Sequence, residues 1–482
     1  MYINNKILIG KNNEYSAYIL PKMANRHGII SGASGSGKTI TLKVMAESFS
    51  NASIPVFLVD VKGDLAGMCL KGVNNKNIAD RVENLKLENF DFQEFPTNFW
   101  DVYGKNGLPI RTTVTKMGAK LLSRMLNLTS AQEGVLTIVF KIAEDEELEI
   151  IDLKDLKSML TYVGNKRQEY TLNYGNITTQ SIGGIQRNLL ALEEEGGNYF
   201  FGKPDLSIKD FIHFDPNNGK GFINILHAVE LFRKPTLYSS LLIWLLNELY
   251  NLPEVGDLDK PKMVFFIDEA HLLFNDMPDH LVKQIIQIVK LIRSKGIGLY
   301  FISQSPSDIP DEILSQLGNR VQHVLRYYTK NDEKAIKAAC NSFRENPNFD
   351  TKEAITNLAT GEALVSTQDE KGQPTIVEKV TILPPQSMMG TIDDATRKNI
   401  IIQSRFYEKY NNSLDEETAY EKIQDINKKE KKEVKKEEEK ETKTKTKKKK
   451  SGAEKAFNKL ANKTINTLGK KIGDSIFKSL FK

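Results

Sequence analysis

Cysteine is scarce in this chain of 482 residues. Only Cys69 and Cys340 are present, far apart, so neither a disulfide framework nor a ligand-spaced zinc site is expected. Long apolar runs are missing as well: none reaches the ~18 residues that a membrane-spanning helix requires. The opening Met1-Tyr2-Ile3-Asn4-Asn5-Lys6 lacks the charged-then-apolar order of a secretory signal. Together these absences lead to the expectation of a reducing, cytoplasmic setting. No internal repeat is visible. No interleaved series of aromatic and basic residues stands ready to stack unpaired bases, which weighs against strand separation. What remains is an ordinary globular composition, 40% hydrophobic and 27% charged, in a chain long enough for two or three domains.

The formal net charge of +5 conceals an asymmetry. Residues 428–482 hold 20 lysines against 8 acidic residues, a net of +12, which leaves 47 basic and 54 acidic residues, a net of −7, in residues 1–427. A mildly acidic body is no general polyanion-binding surface. Contact with nucleic acid would be local, as in a pore, or made by the tail.

Along the chain, Gly28-Ile29-Ile30 reads as a short buried strand, followed by a loop and by a helix with apolar positions Ile40, Leu42, Val44, Met45 and Phe49. Ile54 to Asp60 is a second strand, so the opening is a βαβ unit and the sheet is expected to be mostly parallel. Helical spacing dominates residues 106–205, with Ser130 and Glu133 read as a capping box. Strand and helix then alternate again: strands at Phe222–Leu226, Met263–Ile267, Leu299–Ile302 and Val321–Leu325, and a hairpin from Ala363–Val365 and Thr375–Val377. Pro384-Pro385 is expected to end the regular part. The expected organisation is a core half at 1–105, an α-helical insertion at 106–205, a second core half at 206–400, a charged linker at 401–450, and a basic amphipathic helix at 451–482. That last helix would suit docking on protein or on an anionic membrane surface.

The chemistry concentrates in Gly32-Ala33-Ser34-Gly35-Ser36-Gly37-Lys38-Thr39, with Ile40 opening the helix behind it. A loop whose backbone N–H groups turn inward around phosphate oxygens needs residues free of Cβ clashes, which Gly32, Gly35 and Gly37 supply. Lys38 adds a point charge for the terminal phosphates, and the Thr39 hydroxyl can ligate Mg²⁺. The helix N-terminus favours the same anion. The second component is the apolar run ending in Asp268 and Glu269. Two acids at the end of a buried strand are costly unless they meet a cation; Asp268 would hold Mg²⁺ and Glu269 would act as general base. His271 could couple this site to substrate. Gln304, after a third strand, could sense the terminal phosphate. Arg293 and Arg320 are candidates for neutralising charge in the transition state, a role often filled across a subunit interface. Asp60, Lys62 and Asp64 sit on a loop expected at the same edge, either supporting the site or forming a plain polar turn.

The chain resembles the HerA–FtsK superfamily of motor ATPases, and more closely the bacterial HerA-like proteins of the YjgR type. The resemblance covers roughly residues 7–400. Outside the phosphate loop it rests on Leu20 to Gly28, Asp60-Val61-Lys62-Gly63-Asp64-Leu65-Ala66-Gly67, Asp268-Glu269-Ala270-His271, Leu317 to His323 and Gly361 to Ser366. It implies an α/β, RecA-like P-loop fold with an additional strand, ATP and Mg²⁺ as ligands, and a homo-oligomeric ring, commonly a hexamer. It further implies helicase-like or translocase activity on double-stranded DNA. Archaeal members carry an N-terminal barrel that engages a nuclease. Only about 27 residues precede the first expected core strand here, so no nuclease partner is assumed. Two other classes stay open at this point: an ATPase that powers protein assembly or secretion, and a slow nucleotide-dependent interaction module.

Overall fold

The computed structural model describes residues 1–274, 279–414 and 416–447. Among these, one sheet gathers β1 (Tyr2–Ile3), β2 (Lys6–Lys11), β3 (Ser16–Ile19), β4 (Gly28–Ser31), β5 (Val56–Asp60), β6 (Thr97–Asp101), β7 (Leu108–Pro109), β8 (Ile223–His227), β9 (Met263–Ile267), β10 (Ile297–Ser303), β11 (Asn319–Gln322), β12 (Glu362–Ser366) and β13 (Glu378–Ile382). The spatial order is β1-β2-β13-β12-β11-β4-β10-β9-β5-β8-β6-β7, with β3 pairing β2. From β11 to β7 every pairing is parallel. The flank from β12 to β3 is antiparallel. Every residue of β5, β9 and β10 is buried, as parallel strands covered on both faces require. This is the expected α/β architecture with a mostly parallel sheet. Because β10 stands between β4 and β9, it also has the additional strand of the RecA-like P-loop class.

The helix Lys38–Asn51 packs into this sheet. Its Leu42, Met45 and Phe49 share one core with Ile30, Leu58, Phe266 and Tyr300. Phe49 is fully buried, with its ring 5.6 Å from that of Tyr300; burial of this kind contributes about 1.5–3 kcal/mol per side chain. Ile7 and Ile9 of β2 and Ile19 of β3 enter the same core. The sheet therefore begins well before Gly28, where the sequence placed its first strand. The alternation of Ile7 with Ile9 and of Ala17 with Ile19 carried that signal.

Between β7 and β8 the chain is helical, with helices Val114–Met125, Ser130–Asp145, Leu153–Asn165, Arg167–Tyr174 and Thr179–Glu194. The capping box of the second lies one residue earlier than Ser130 and Glu133: the Thr129 hydroxyl accepts from Gln132 N, and the Gln132 side chain accepts from Thr129 N. The hairpin is also shifted. Its second strand is Glu378–Ile382; ahead of it Val377 N turns aside to donate to the Arg344 carbonyl, while Thr375 N donates to the Thr367 carbonyl.

Regular structure does not stop at Pro384-Pro385. Glu47, buried on the helix Lys38–Asn51, accepts from Gln386 N (2.8 Å) and Ser387 N (3.1 Å). The following segment is thereby fastened across that helix. A helix then forms at Asp394–Gln403, capped by Asp393, and Tyr410 is buried with its ring 5.6 Å from Trp100. Residues 1–420 make one compact unit. Residues from 421 onward make a second, whose described part continues the helix Ala419–Lys447, exposed from Lys428 to Lys436. The amphipathic helix expected at 451–482 lies outside the described residues. No helix among the described residues is long and apolar enough to cross a membrane.

Candidate nucleotide site

The loop from Gly32 to Gly37 joins β4 to the N-terminus of Lys38–Asn51. Gly37 has φ 116°, outside the range that side chains readily adopt. A Cβ on Gly32 would stand 2.5 Å from the Cβ of His323. His323 follows β11 and packs beneath the loop. Its Nδ1 lies 2.9 Å from the Glu362 carbonyl and its Nε2 lies 2.8 Å from Thr41 Oγ1. Since a carbonyl only accepts, Nδ1 carries the proton and the Thr41 hydroxyl donates to Nε2. Burial pushes the ring down to about 4, so it stays neutral.

Lys38 donates to the Gly32 carbonyl at 2.6 Å and the Ala33 carbonyl at 3.1 Å. Burial lowers its ammonium below the ordinary lysine range, and the charge of Lys62 adds to this, while Glu269, Asp268 and Asp308 act in the opposite sense. Ser36 Oγ is buried without a hydrogen-bond partner. Thr39, in the first turn of the helix, is half-buried.

The acids arrive at the same sheet edge from β9. Asp268 Oδ1 accepts from Glu269 N at 2.9 Å. Burial pushes the Asp268 carboxyl up to about 6, the Lys62 charge opposing and Glu269 reinforcing the shift. Glu269 occupies the left-handed region at φ 47°, which is uncommon for a residue with a Cβ and recurs at functional sites. Its Oε1 lies 3.0 Å from Lys62 Nζ. Its Oε2 is buried without a hydrogen bond, with His271 Nδ1 at 3.4 Å. Lys62 is carried by the turn after β5. There Asp60 accepts from Gly63 N (2.7 Å) and Leu65 N (3.1 Å), and burial pushes its carboxyl up to about 6. Gln304 follows the last residue of β10 and is exposed. Ser303 before it aligns with Ser31 of β4, so Gln304 reaches the phosphate-loop edge.

The two candidate arginines do not come to this edge within the chain. Arg293 precedes β10, so roughly 20 Å of strand separates it from Ser303. It stands instead near Arg26 and His27, whose protonation it disfavours. Arg320 aligns with Ile29 of β4 and donates from Nε to the Leu317 carbonyl (2.9 Å) and from Nη2 to that of Leu314 (2.8 Å). An arginine that the sequence did not single out, Arg81, stands one residue from the loop: it lies against Gly361, whose N–H donates to the Ser36 carbonyl at 3.1 Å. Asp308 was also missed. It accepts from Ser303 Oγ (2.5 Å) and Ser305 N (2.9 Å), and its sequence signal is no more than a short capping pattern.

The residues present fit a nucleotide phosphate with Mg²⁺. The close approach of His323 leaves no room for a Cβ at Gly32, a lysine lies in the first turn of a helix, and two acids share its sheet edge. The buried atoms Ser36 Oγ and Glu269 Oε2 await partners. The chain matches the helicase HerA-like C-terminal family over residues 5–482. It belongs to this family. The HerA-like chain is 24% identical over 373 residues to the DNA double-strand break repair helicase HerA of Saccharolobus solfataricus, covering 74% of this chain and 64% of that protein. It is 22% identical over 357 residues to a probable helicase of Methanocaldococcus jannaschii, covering 71% of this chain and 64% of that one. It thus spans just under two thirds of the length of these relatives. Among solved structures, VirB4 of Thermoanaerobacter pseudethanolicus aligns with a TM-score of 0.48 at 15% identity, over 80% of this chain and 97% of that one.

Proposed function

We propose that this HerA-like chain is a Mg²⁺-dependent ATPase that assembles into a ring, hexameric as its family resemblance implies, and moves double-stranded DNA through the central pore in the cytoplasm. The observation that carries the ATPase reading is the placement of Lys38, Asp268 and Glu269 on one sheet edge. β10 stands between the loop strand and the acid-bearing strand, and the charges of Glu269 and Asp268 bear on Lys38. The loop N–H groups and Lys38 bind the phosphates. Thr39 and Asp268 hold Mg²⁺, which neutralises phosphate charge when bound. Glu269 orients water and takes its proton, and Gln304 senses the terminal phosphate. The ring is supported by the position of Arg293: it lies at the far edge of its own sheet, where a neighbouring subunit's nucleotide would be its target.

The test is ATP turnover with and without duplex DNA, with mass measured in the presence of ATP. Stimulation by duplex DNA together with a multimeric mass supports the full reading. Turnover indifferent to DNA removes the translocase part in favour of a motor for protein assembly or secretion. Tight binding with turnover near zero points to an interaction module, and no binding at all removes the ATPase itself.

A further inference from the structure

Lys62 Nζ lies 3.0 Å from Glu269 Oε1, and this pairing is built rather than incidental. The turn that carries Lys62 is fixed by two backbone N–H groups donating to the buried Asp60. The carboxylate end of the pair is 11% exposed, whereas the lysine is 47% exposed and reaches in along its stem from the solvent side. An ammonium on a flexible four-carbon stem is suited to changing partners. While it sits on Oε1 it occupies the lone pair through which a water would be held, and Oε2 stands buried and unpartnered beside it. Lys62 also bears on Lys38, whose ammonium its charge disfavours. Two ammonium groups near one another repel, and a terminal phosphate bound by both would relieve that repulsion. A nucleoside diphosphate has no group at that position.

We propose that Lys62 is a two-position side chain: it neutralises Glu269 while the site is free of nucleotide, and moves to the terminal phosphate when a nucleoside triphosphate binds, releasing Glu269 to hold water. This rests on the reading of the site as an ATPase centre and adds to it the residue that distinguishes triphosphate from diphosphate. Lys62 is a positioning residue for Glu269 and a ligand for the third phosphate.

The experiment measures binding of ADP and of a non-hydrolysable ATP analogue, each with Mg²⁺, to the full chain. The variants are Lys62→Ala, Lys62→Arg, Glu269→Gln, and Lys62→Ala combined with Glu269→Gln. Lys62→Ala is expected to weaken the analogue about ten- to hundredfold, the loss of one charge-assisted bond, and to leave ADP affinity within about twofold. Retained ADP binding also certifies that the variant is folded. Lys62→Arg restores part of the loss. Glu269→Gln frees the lysine in advance and tightens the analogue, and that gain disappears in the double variant. Equal weakening of both nucleotides by Lys62→Ala, or no weakening of either, overturns the proposal. So does a Glu269→Gln gain that survives without Lys62. Wild-type protein that binds neither nucleotide overturns the ATPase reading beneath it, an outcome distinct from the others.

Discussion

Replacing Arg320 by methionine separates two roles for this residue. Methionine keeps most of the aliphatic stem and removes both donors. In the structure those donors serve the carbonyls of Leu317 and Leu314; Leu314 ends the short helix Asp311–Leu314, where carbonyls have no partner within the helix, and Leu317 lies three residues beyond it. A hydrogen bond from a charged donor contributes about 1.5–3 kcal/mol. Arg320 is only partly exposed, so water replaces the lost donors incompletely, and the two bonds together set a loss of about 2–4 kcal/mol. The assay is denaturant unfolding of the nucleotide-free protein, alongside kcat and ATP affinity under conditions where the variant is folded. The expected result is a lowered unfolding midpoint with kcat within about threefold of wild type. An unchanged midpoint with kcat reduced by ~10³-fold or more, the signature of a lost arginine finger, would refute this reasoning and return Arg320 to the neighbouring subunit's site.

Glu269→Gln keeps size and one acceptor but removes the base, so hydrolysis should fall by roughly 10²-fold or more with nucleotide still bound; wild-type turnover would move the base elsewhere. Gly32→Ala drives a Cβ to 2.5 Å from His323 Cβ, so the loop must shift and nucleotide affinity should drop by about tenfold or more. Unaltered affinity would show that the loop yields at no cost. His27 accepts from Leu299 N and pairs with the Val289 carbonyl, and burial holds it near 4 against an ordinary 6.5. The unfolded chain therefore takes a proton that the folded chain refuses, and His27 costs stability as pH falls from 6.5 toward 4. His27→Gln should flatten the slope of stability with pH in that window by about 1.4 kcal/mol per unit; an unchanged slope contradicts the assignment. Finally, Arg293→Ala mixed with Glu269→Gln should regain activity in hybrid rings, because one interface then joins an intact base to an intact arginine. Absence of rescue between variants that both assemble argues for action in cis.

The parts of this fold that rest on continuous local signals were legible in the sequence. The run Met263 to Ile267 is apolar throughout because β9 is covered on both faces, and the glycine spacing of the phosphate loop reflects a backbone that tolerates no Cβ. What escaped depends on distant neighbours. Tyr2–Ile3 is too short to stand as a strand alone, and the brief alternation in Lys6–Lys11 gives no sign that its partner, β13, lies more than 360 residues later. His323 carried no sequence sign of its seat beneath the loop, since a neutral histidine between a threonine and a carbonyl is defined only by tertiary contact. Arg320 stands out in the sequence by its charge, whereas the Leu317 and Leu314 carbonyls that it serves are visible only in the structure. Lys62 was visible only as one of three polar residues on a turn.

The order of strands in the sheet also governs how the protein can be made. β4 pairs with β10 and β11 alone, and β5 with β8 and β9, so none of the parallel partners of either strand exists until the ribosome has passed residue 223. At ~5–20 residues per second, roughly 15–50 s elapse between synthesis of the phosphate loop and synthesis of β10. Through that interval Ile29 and Ile30 are without their parallel partners, and the apolar face of Lys38–Asn51, though it can meet Ile7, Ile9 and Ile19, lacks Phe266 and Tyr300. His323 and the Glu362 carbonyl, which prop the loop from below, are later still. A nascent chain thus carries the phosphate-loop sequence long before it carries the propped phosphate site, which is complete only when about three quarters of the polypeptide has been translated.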